Sequence, residues 1–404
     1  MKRWKKIALV LIGVLLLSQT PFVYRRYRLG RLGAAIAASN AERVTTPADD
    51  RYDDYAGVFH VHSSLGGHST GTLSEIVQAA KADRLVFVVM TEHPDALVNT
   101  AEATLHGTHD GVIFINGSEL AASNGGRLFV APGFAPADPN ASLQELVTRA
   151  KSDGRLAVVG YPEEIKDWNL SGYDAVEIYN LYTNAKRIGY PVLFFDGLWS
   201  YWSYPDLLFA RFYERPDANL KRWDEINVAG RQRAFAVAGN DAHANVGVAL
   251  RDQTGRQILG VKLDPYERSF RIVRNHVLLE KGAALDADSL LAALRGGHSF
   301  IAFDLFGDST GFRFTADNGT DRRTMGEEIA LPASGGVRLA SHSPLKCRTL
   351  FFRDGQVVKE IKDSAEAELN ADRPGVYRVE LYLDQLGGLL EGKPWVISNP
   401  IFVR

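Results

Sequence analysis

The sequence predicts an α/β fold: a (β/α) barrel, or a closely related closed parallel sheet, followed by a C-terminal β-sandwich and preceded by an N-terminal membrane anchor. Three observations predict it. Between residues 57 and 245, roughly six short runs, apolar on both faces, alternate with amphipathic helical segments, as parallel strands covered on both sides require. From residue 306 onward short strands and turn pairs replace this pattern. At the N-terminus an apolar run lies between two basic clusters.

Each element follows from its residues. Lys2, Arg3, Lys5 and Lys6 precede the apolar run 7–17, and weakly polar residues as far as Tyr24 extend it to about the length of a short span. The segment reads as a signal anchor or a secretory signal. Arg25, Arg26, Arg28 and Arg31 follow it rather than the small residues of a cleavage site, which favours an uncleaved anchor. Basic residues flank both ends, so charge does not orient it. The rest of the chain is expected outside the cytoplasm, because single N-terminal anchors usually export the domains attached to them. Residues 30–50, rich in Ala, Ser, Asn and Asp, read as a linker.

The run 57–62 is the first strand. Thr72 and Glu75 form a capping-box pair that opens a helix with Leu73, Ile76, Val77 and Ala80 inward. The runs 85–91, 112–116, 156–160, 175–179 and 235–239 continue the strand series, and Ser142 with Glu145 opens a helix through Ala150. In the last hundred residues 337–341, 350–353, 357–361, 377–383 and 395–403 read as strands, with Asp354-Gly355 as a hairpin turn. Tyr377, Val379, Leu381 and Leu383 alternate with Arg378, Glu380 and Tyr382, the period of a half-exposed antiparallel strand. The expected division is 1–50 anchor and linker, 51–305 barrel, and 306–404 sandwich. The aromatic stretch 179–223, with Phe194, Trp199 and Trp202 among its rings, reads as inserted helices packed on the barrel. A pocket wall or a membrane contact is the alternative.

The chain carries 46 basic and 48 acidic side chains, a net charge of -2, which argues against binding nucleic acid by bulk phosphate neutralisation. Its one cysteine, Cys347, excludes an intramolecular disulfide framework and a cysteine-based zinc cluster. Any metal must be held by His, Asp or Glu. Such residues fall where the predicted strands end. His60 and His62 are two apart on the first strand, which turns both to one face, and His68 follows in a Gly-rich turn. Later strand ends supply Glu92-His93, Gly117-Ser118-Glu119, Glu177 and Asp241-Ala242-His243. Barrel enzymes build active sites at the C-terminal ends of their strands, and five such ends each offer a metal-compatible group.

In these motifs, His60-Val61-His62 with His68, Glu92-His93, Gly117-Ser118-Glu119 and Asp241-Ala242-His243, the chain resembles the PHP family, named for polymerase and histidinol-phosphatase members, over roughly residues 55–305. Its C-terminal section resembles the branch that includes carbaryl-type ester hydrolases. The resemblance implies a distorted (β/α)7 barrel and one to three divalent metal ions, zinc, manganese or iron. It places His60, His62, Glu119 and Asp241 on one metal, with Glu119 able to bridge, and His68, His93 and His243 on a further one. Asp241, His93 and His243 form the implied catalytic set, with His243 or His93 protonating the leaving group if not ligating.

The implied reaction is attack by a metal-bound hydroxide on a small-molecule phosphate ester. A carboxylic or carbamic ester substrate is the alternative, and a degenerate binding or scaffold module is the alternative outside catalysis. The sequence departs from the family at Tyr161-Pro162, where many members have His-Pro. A phenol is a poor ligand, so Glu177 is a candidate in its place. Glu92 reads as a group that orients His93. Lys186 and Arg187 read as a solvated face or an anion anchor, His106 and His109 as exposed loop residues, and His276, His298 and His342 as structural.

Overall fold

Apolar runs too short for helices pair edge to edge as strands, and the helices between them cover their faces. The computed structural model describes residues 3–44, 51–134, 138, 140–185, 190–251 and 257–404. In chain order its first elements are α1 (Arg3–Ala41), β1 (Tyr52–Val61), α2 (Leu73–Ala82), β2 (Phe87–Met90), α3 (Thr100–Ala103), β3 (Gly107–His109), β4 (Val112–Ile115), β5 (Ser118–Ala121), β6 (Arg127–Ala131), α4 (Leu143–Ser152), β7 (Leu156–Gly160) and β8 (Ala175–Asn180). Then come α5 (Leu181–Ala185), α6 (Tyr190–Ser200), α7 (Asp217–Val228), β9 (Phe235–Ala242), β10 (Gly247–Arg251), β11 (Gln257–Lys262), α8 (Tyr266–Ile272), β12 (Arg274–Glu280), α9 (Ala287–Gly296) and β13 (Ser299–Ala302). The last are β14 (Arg313–Asp317), β15 (Arg322–Thr324), β16 (Glu328–Ile329), β17 (Val337–Arg353), β18 (Gln356–Ala371), β19 (Gly375–Tyr382), β20 (Val396–Ser398) and β21 (Ile401–Val403).

The fold is mixed α/β, built on one large sheet. Strands β4, β2, β1, β9, β8 and β7 are neighbours in that order and all parallel. Every residue of β2 and β7 is buried, which is why both are apolar throughout. Beyond β7 the pairing continues antiparallel through β6 to β5, and a parallel bridge between Glu92 and Ser118 returns from β5 to the end of β2. Both expected capping boxes form, Thr72 with Glu75 and Ser142 with Glu145, so α2 and α4 start where their sequences say. From β1 the sheet runs on antiparallel through β12, β13, β20, β19 and β17. One cluster of buried side chains includes Leu128 and Val159 together with Phe303, Trp395 and Val403, so strands before and after residue 306 share a core.

Several local expectations are corrected. Residues 30–41, read as linker, continue α1. Ala, Leu and Arg are strong helix formers, and Leu32 is buried in the main core, so packing extends the helix. The strand expected to be half exposed, β19, is buried at all eight positions. Arg378 is buried because it pairs with Asp224 Oδ1 at 2.8 Å and Glu380 Oε1 at 2.6 Å, while Arg215 reaches the same Glu380 oxygen at 2.5 Å. His109 is exposed but lies on β3, joined to β4 through Asp110-Gly111 in the left-handed region. Lys186 and Arg187 lie outside the described residues. The Asp354-Gly355 hairpin forms between β17 and β18.

Candidate metal centre

The centre is assembled from strand ends and the loops that leave them. His60 and His62 stand at and just past the end of β1, Glu119 is on β5, Glu177 on β8 and Asp241 on β9; His68, His93 and His243 are on the loops beyond. His60 does not reach the site by simple strand alternation. The register of β1 with β2 and β9 shifts between Phe59 and Val61, and His60 takes φ 70°, so it is a bulge residue whose ring is re-aimed. Asp241 and Tyr161 share the left-handed region, each at φ 48°. Three non-glycine residues so held around one site are backbone strain that the surrounding packing sustains.

Two groups of ligand atoms form, each with its atoms within 4.8 Å of one another: His60, His62 and Glu119, and His62, His68, His93 and His243. His62 belongs to both. Glu119 Oε2 lies 3.0 Å from His60 Nε2, 3.1 Å from His62 Nε2 and 3.6 Å from His93 Nε2. Asp241 Oδ1 approaches the same two nitrogens of His60 and His62 at 3.4 and 3.6 Å. In the second group His68 Nε2 faces His243 Nε2 at 2.7 Å, and the His62 ring stacks between those of His93 and His243, with centroids 4.9 and 4.4 Å away.

Glu177 lies outside both groups, behind His60, with Oε1 2.6 Å from Nδ1. Gly239 makes room for that contact: a Cβ there would fall 1.7 Å from Glu177 Oε1. Tyr161 OH donates to Asp241 Oδ2 at 2.8 Å, and Asn180 Nδ2 donates to both Asp241 Oδ2 and Glu177 Oε2 at 3.3 Å. Tyr161 therefore orients a carboxylate. Glu92 does not touch the His93 ring as expected; its carboxylate accepts from Ser63 N–H at 3.0 Å and Thr104 Oγ1 at 3.0 Å, because it closes the turn after β1. His276, His298 and His342 pair with acidic side chains away from the centre.

The electrostatics favour a cation. Both ring nitrogens of His62 are buried without a hydrogen-bond partner, since Glu119 Oε2 approaches Nε2 outside hydrogen-bond direction. Such orphaned polar atoms cost on the order of 1–3 kcal/mol each unless something occupies them. Burial pushes His62 and His93 down to about 4, and burial lowers His243 as well despite Asp241 beside it, so at neutral pH these imidazoles are in the neutral, ligating form. Burial would lower His60 too, but Asp241 and Glu177, with hydrogen bonds to Glu119 and Glu177, hold its proton well above the usual range. Three carboxylates around one imidazole leave negative charge that a divalent cation would balance. Burial would raise Glu119, but the His60 hydrogen bond and the His62 ring close beside it keep its carboxyl well below the usual carboxylate range. Burial and the charge of Asp241 push the Tyr161 hydroxyl up, so it stays a donor.

Sequence reasoning missed two residues. Arg127 on β6 places Nη1 2.7 Å from Glu119 Oε1, and Asn180 bridges the two buried carboxylates. The signal for Arg127 was the pair Asn124-Gly125, a hairpin turn that brings β6 beside β5 and turns Arg127 toward the face of Glu119. For Asn180 no local signal exists.

No protein-family model and no curated protein matches the sequence. Among solved structures, the chain is similar to a two-domain protein from Bacteroides vulgatus containing a predicted PHP-like metal-dependent phosphoesterase, at 13% identity and TM-score 0.38, over 84% of this chain and 94% of that one. It is also similar to PsfC from Pseudomonas syringae, at 13% identity and TM-score 0.39, over 62% of this chain and 92% of that one. The carbaryl-type branch finds no support in them. Both likenesses are remote, so the chemistry has to be read from the site itself.

Proposed function

We propose that the chain is a metal-dependent hydrolase of the PHP type, a phosphoesterase acting on a small molecule, held to a membrane by α1 with its body outside the cytoplasm. In this reading the closed strand set is a distorted (β/α)7 barrel and residues 306–404 a β-sandwich. The observation that carries it is the pivot at His62, a buried, neutral imidazole shared by two groups of ligand atoms. His60, His62 and Glu119 would hold one cation with Asp241 beside them, and His62, His68, His93 and His243 border the place of another. Nitrogen and carboxylate donors without thiolate suit zinc, manganese or iron. A divalent ion there supplies Lewis acidity and lowers the pKa of water.

The residues around it hold and orient. Glu177 fixes the His60 ring through Nδ1, and Tyr161 and Asn180 fix Asp241. Arg127, partly exposed at the edge of Glu119, offers the guanidinium that an anionic ester oxygen requires. His93 and His243 are neutral at pH 7, so each would accept a proton more readily than donate one.

Chelator-stripped protein is expected to regain hydrolysis of aryl phosphates on addition of zinc, manganese or iron, assayed beside a panel of aryl carboxylic esters and carbamates. Turnover of esters alone, or none with any metal, would overturn the phosphoesterase reading. Arg127→Gln is expected to raise KM for the phosphate ester about 10- to 100-fold, the worth of a charge-assisted hydrogen bond, with kcat changed far less. Tyr161→Phe, which removes one hydroxyl, is expected to weaken metal binding about 10- to 100-fold in a calorimetric titration while the melting curve of the stripped protein stays in place. Unchanged affinity would assign Tyr161 a packing role only.

A further inference from the structure

Helix α6 has no charged face to give to water. Its charged side chain, Asp196, is buried and turned inward, 3.3 Å from Arg25 and 3.7 Å from Arg211. Outward it presents Phe194 and Leu198, four residues apart, and the next step on the same side is Trp202, just past the helix end. These are 64%, 61% and 79% exposed. Gly197, beside them, faces open space. A helix on a water-soluble surface carries polar residues on that side, and a contiguous apolar stripe marks an interface.

The neighbouring helix bears on what could cover the stripe. Among the described residues α1 is the helix long and apolar enough to cross a membrane, with that apolar stretch wholly unburied. It seats on α6 at the end of this stretch: the Phe22 and Phe195 rings lie 5.1 Å apart, and Trp199 Nε1 donates to Gln19 Oε1 at 3.0 Å. Exposed Tyr24 and Tyr27 and the basic Arg25 and Arg26 fall in the same turns, the composition of a membrane–water boundary. From Trp4 to Tyr24 a helix rises about 30 Å, the thickness of a hydrocarbon core.

We propose that α6 is an interfacial helix: where α1 crosses a bilayer, the stripe of Phe194, Leu198 and Trp202 lies in the boundary between headgroups and acyl chains, and holds the body against the membrane at a second point. The surface goes beyond the hydrolase reading and is independent of the metal site. Its test uses the full chain with Cys347→Ser, reconstituted in phosphatidylcholine and phosphatidylglycerol vesicles. Single nitroxide labels are placed at Leu198→Cys, at Leu11→Cys in the span, and at Val357→Cys on the exposed part of β18. Accessibility to oxygen, which partitions into lipid, is compared with accessibility to a water-soluble nickel chelate.

The label at Leu198 is expected to show an oxygen-to-nickel ratio several-fold above that at Val357. A ratio equal to Val357 overturns the proposal: with Leu11 in lipid the anchor stands and α6 alone fails, and with Leu11 in water both fail. Exclusion of both reagents at Leu198, with spin–spin broadening, would give the face to a second copy of the chain and overturn it equally.

Discussion

Replacing His62 with alanine is expected to remove metal from the whole centre, and to lower turnover at least a hundredfold. Its ring offers an atom to both groups, whereas His60→Ala takes a donor from the first alone and His68→Ala from the second alone. Metal content per chain, measured by mass spectrometry after gel filtration, should therefore fall further in the His62 variant than in either of the others. A second readout separates a ligand from a packing residue. In stripped protein, His62→Leu exchanges two orphaned buried nitrogens for an apolar side chain of similar volume, which is neutral or stabilising. Only the unsubstituted chain should then gain stability on adding metal, because a ligand that binds the folded state alone stabilises it by mass action. A His62→Ala protein that keeps full metal content would sink the pivot, and a His62→Leu protein that melts several degrees lower without metal would make His62 structural.

The positions that the fold brings together at the centre were legible because their placement is local: each imidazole or carboxylate sits at or just beyond the end of a run whose apolar character marks a buried strand. Capping boxes at Thr72 and Ser142 were legible for the same reason, since they lie within four residues. What failed depends on partners far away in sequence. Arg378 and Glu380 look like the wet face of a strand until Asp224 and Arg215 arrive from elements more than 150 residues earlier. Glu92 looks like a partner for its neighbour His93, yet the turn after β1 claims it through Ser63. The bulge at His60 is invisible to a period-two rule: the alternation that predicts two histidines on one face reached the right outcome by the wrong geometry.

The seam between β1, β12 and the turn after β13 predicts the largest effect on stability. His276 is fully buried on β12, with Nδ1 2.7 Å from Asp54 Oδ1 and Nε2 3.0 Å from Asp304 Oδ2, and its ring stacks on Phe300 at 4.6 Å. Burial alone would lower its pKa, but Asp54 and Asp304 outweigh burial and push it up to about 10. Asp304 is held below the usual carboxylate range; burial opposes this, and the charge of His276 and its hydrogen bond overcome it. These two directions set the pH window. A base whose folded pKa is raised contributes stability fully present below its unfolded value of about 6.5 and lost as pH rises through about 10. The acid contributes stability present above its unfolded value near 4 and lost as pH falls. The seam's own contribution, read as the difference in unfolding free energy from urea titrations of the unsubstituted protein and a His276 variant, should therefore be largest between about pH 4 and 6.5 and fall by on the order of 3–4 kcal/mol toward pH 9.5. His276→Gln leaves two buried carboxylates short of a positive partner, with Arg313 3.5 Å from Asp54 and Arg274 3.7 Å from Asp304 as the cations left beside them among the described residues. It is expected to cost about 3–5 kcal/mol at pH 6 and to flatten the alkaline limb. A variant whose midpoints run parallel to the unsubstituted protein from pH 6 to 9.5 would show that the buried imidazole is neutral, and that the seam is held by packing on Phe300 instead of by charge.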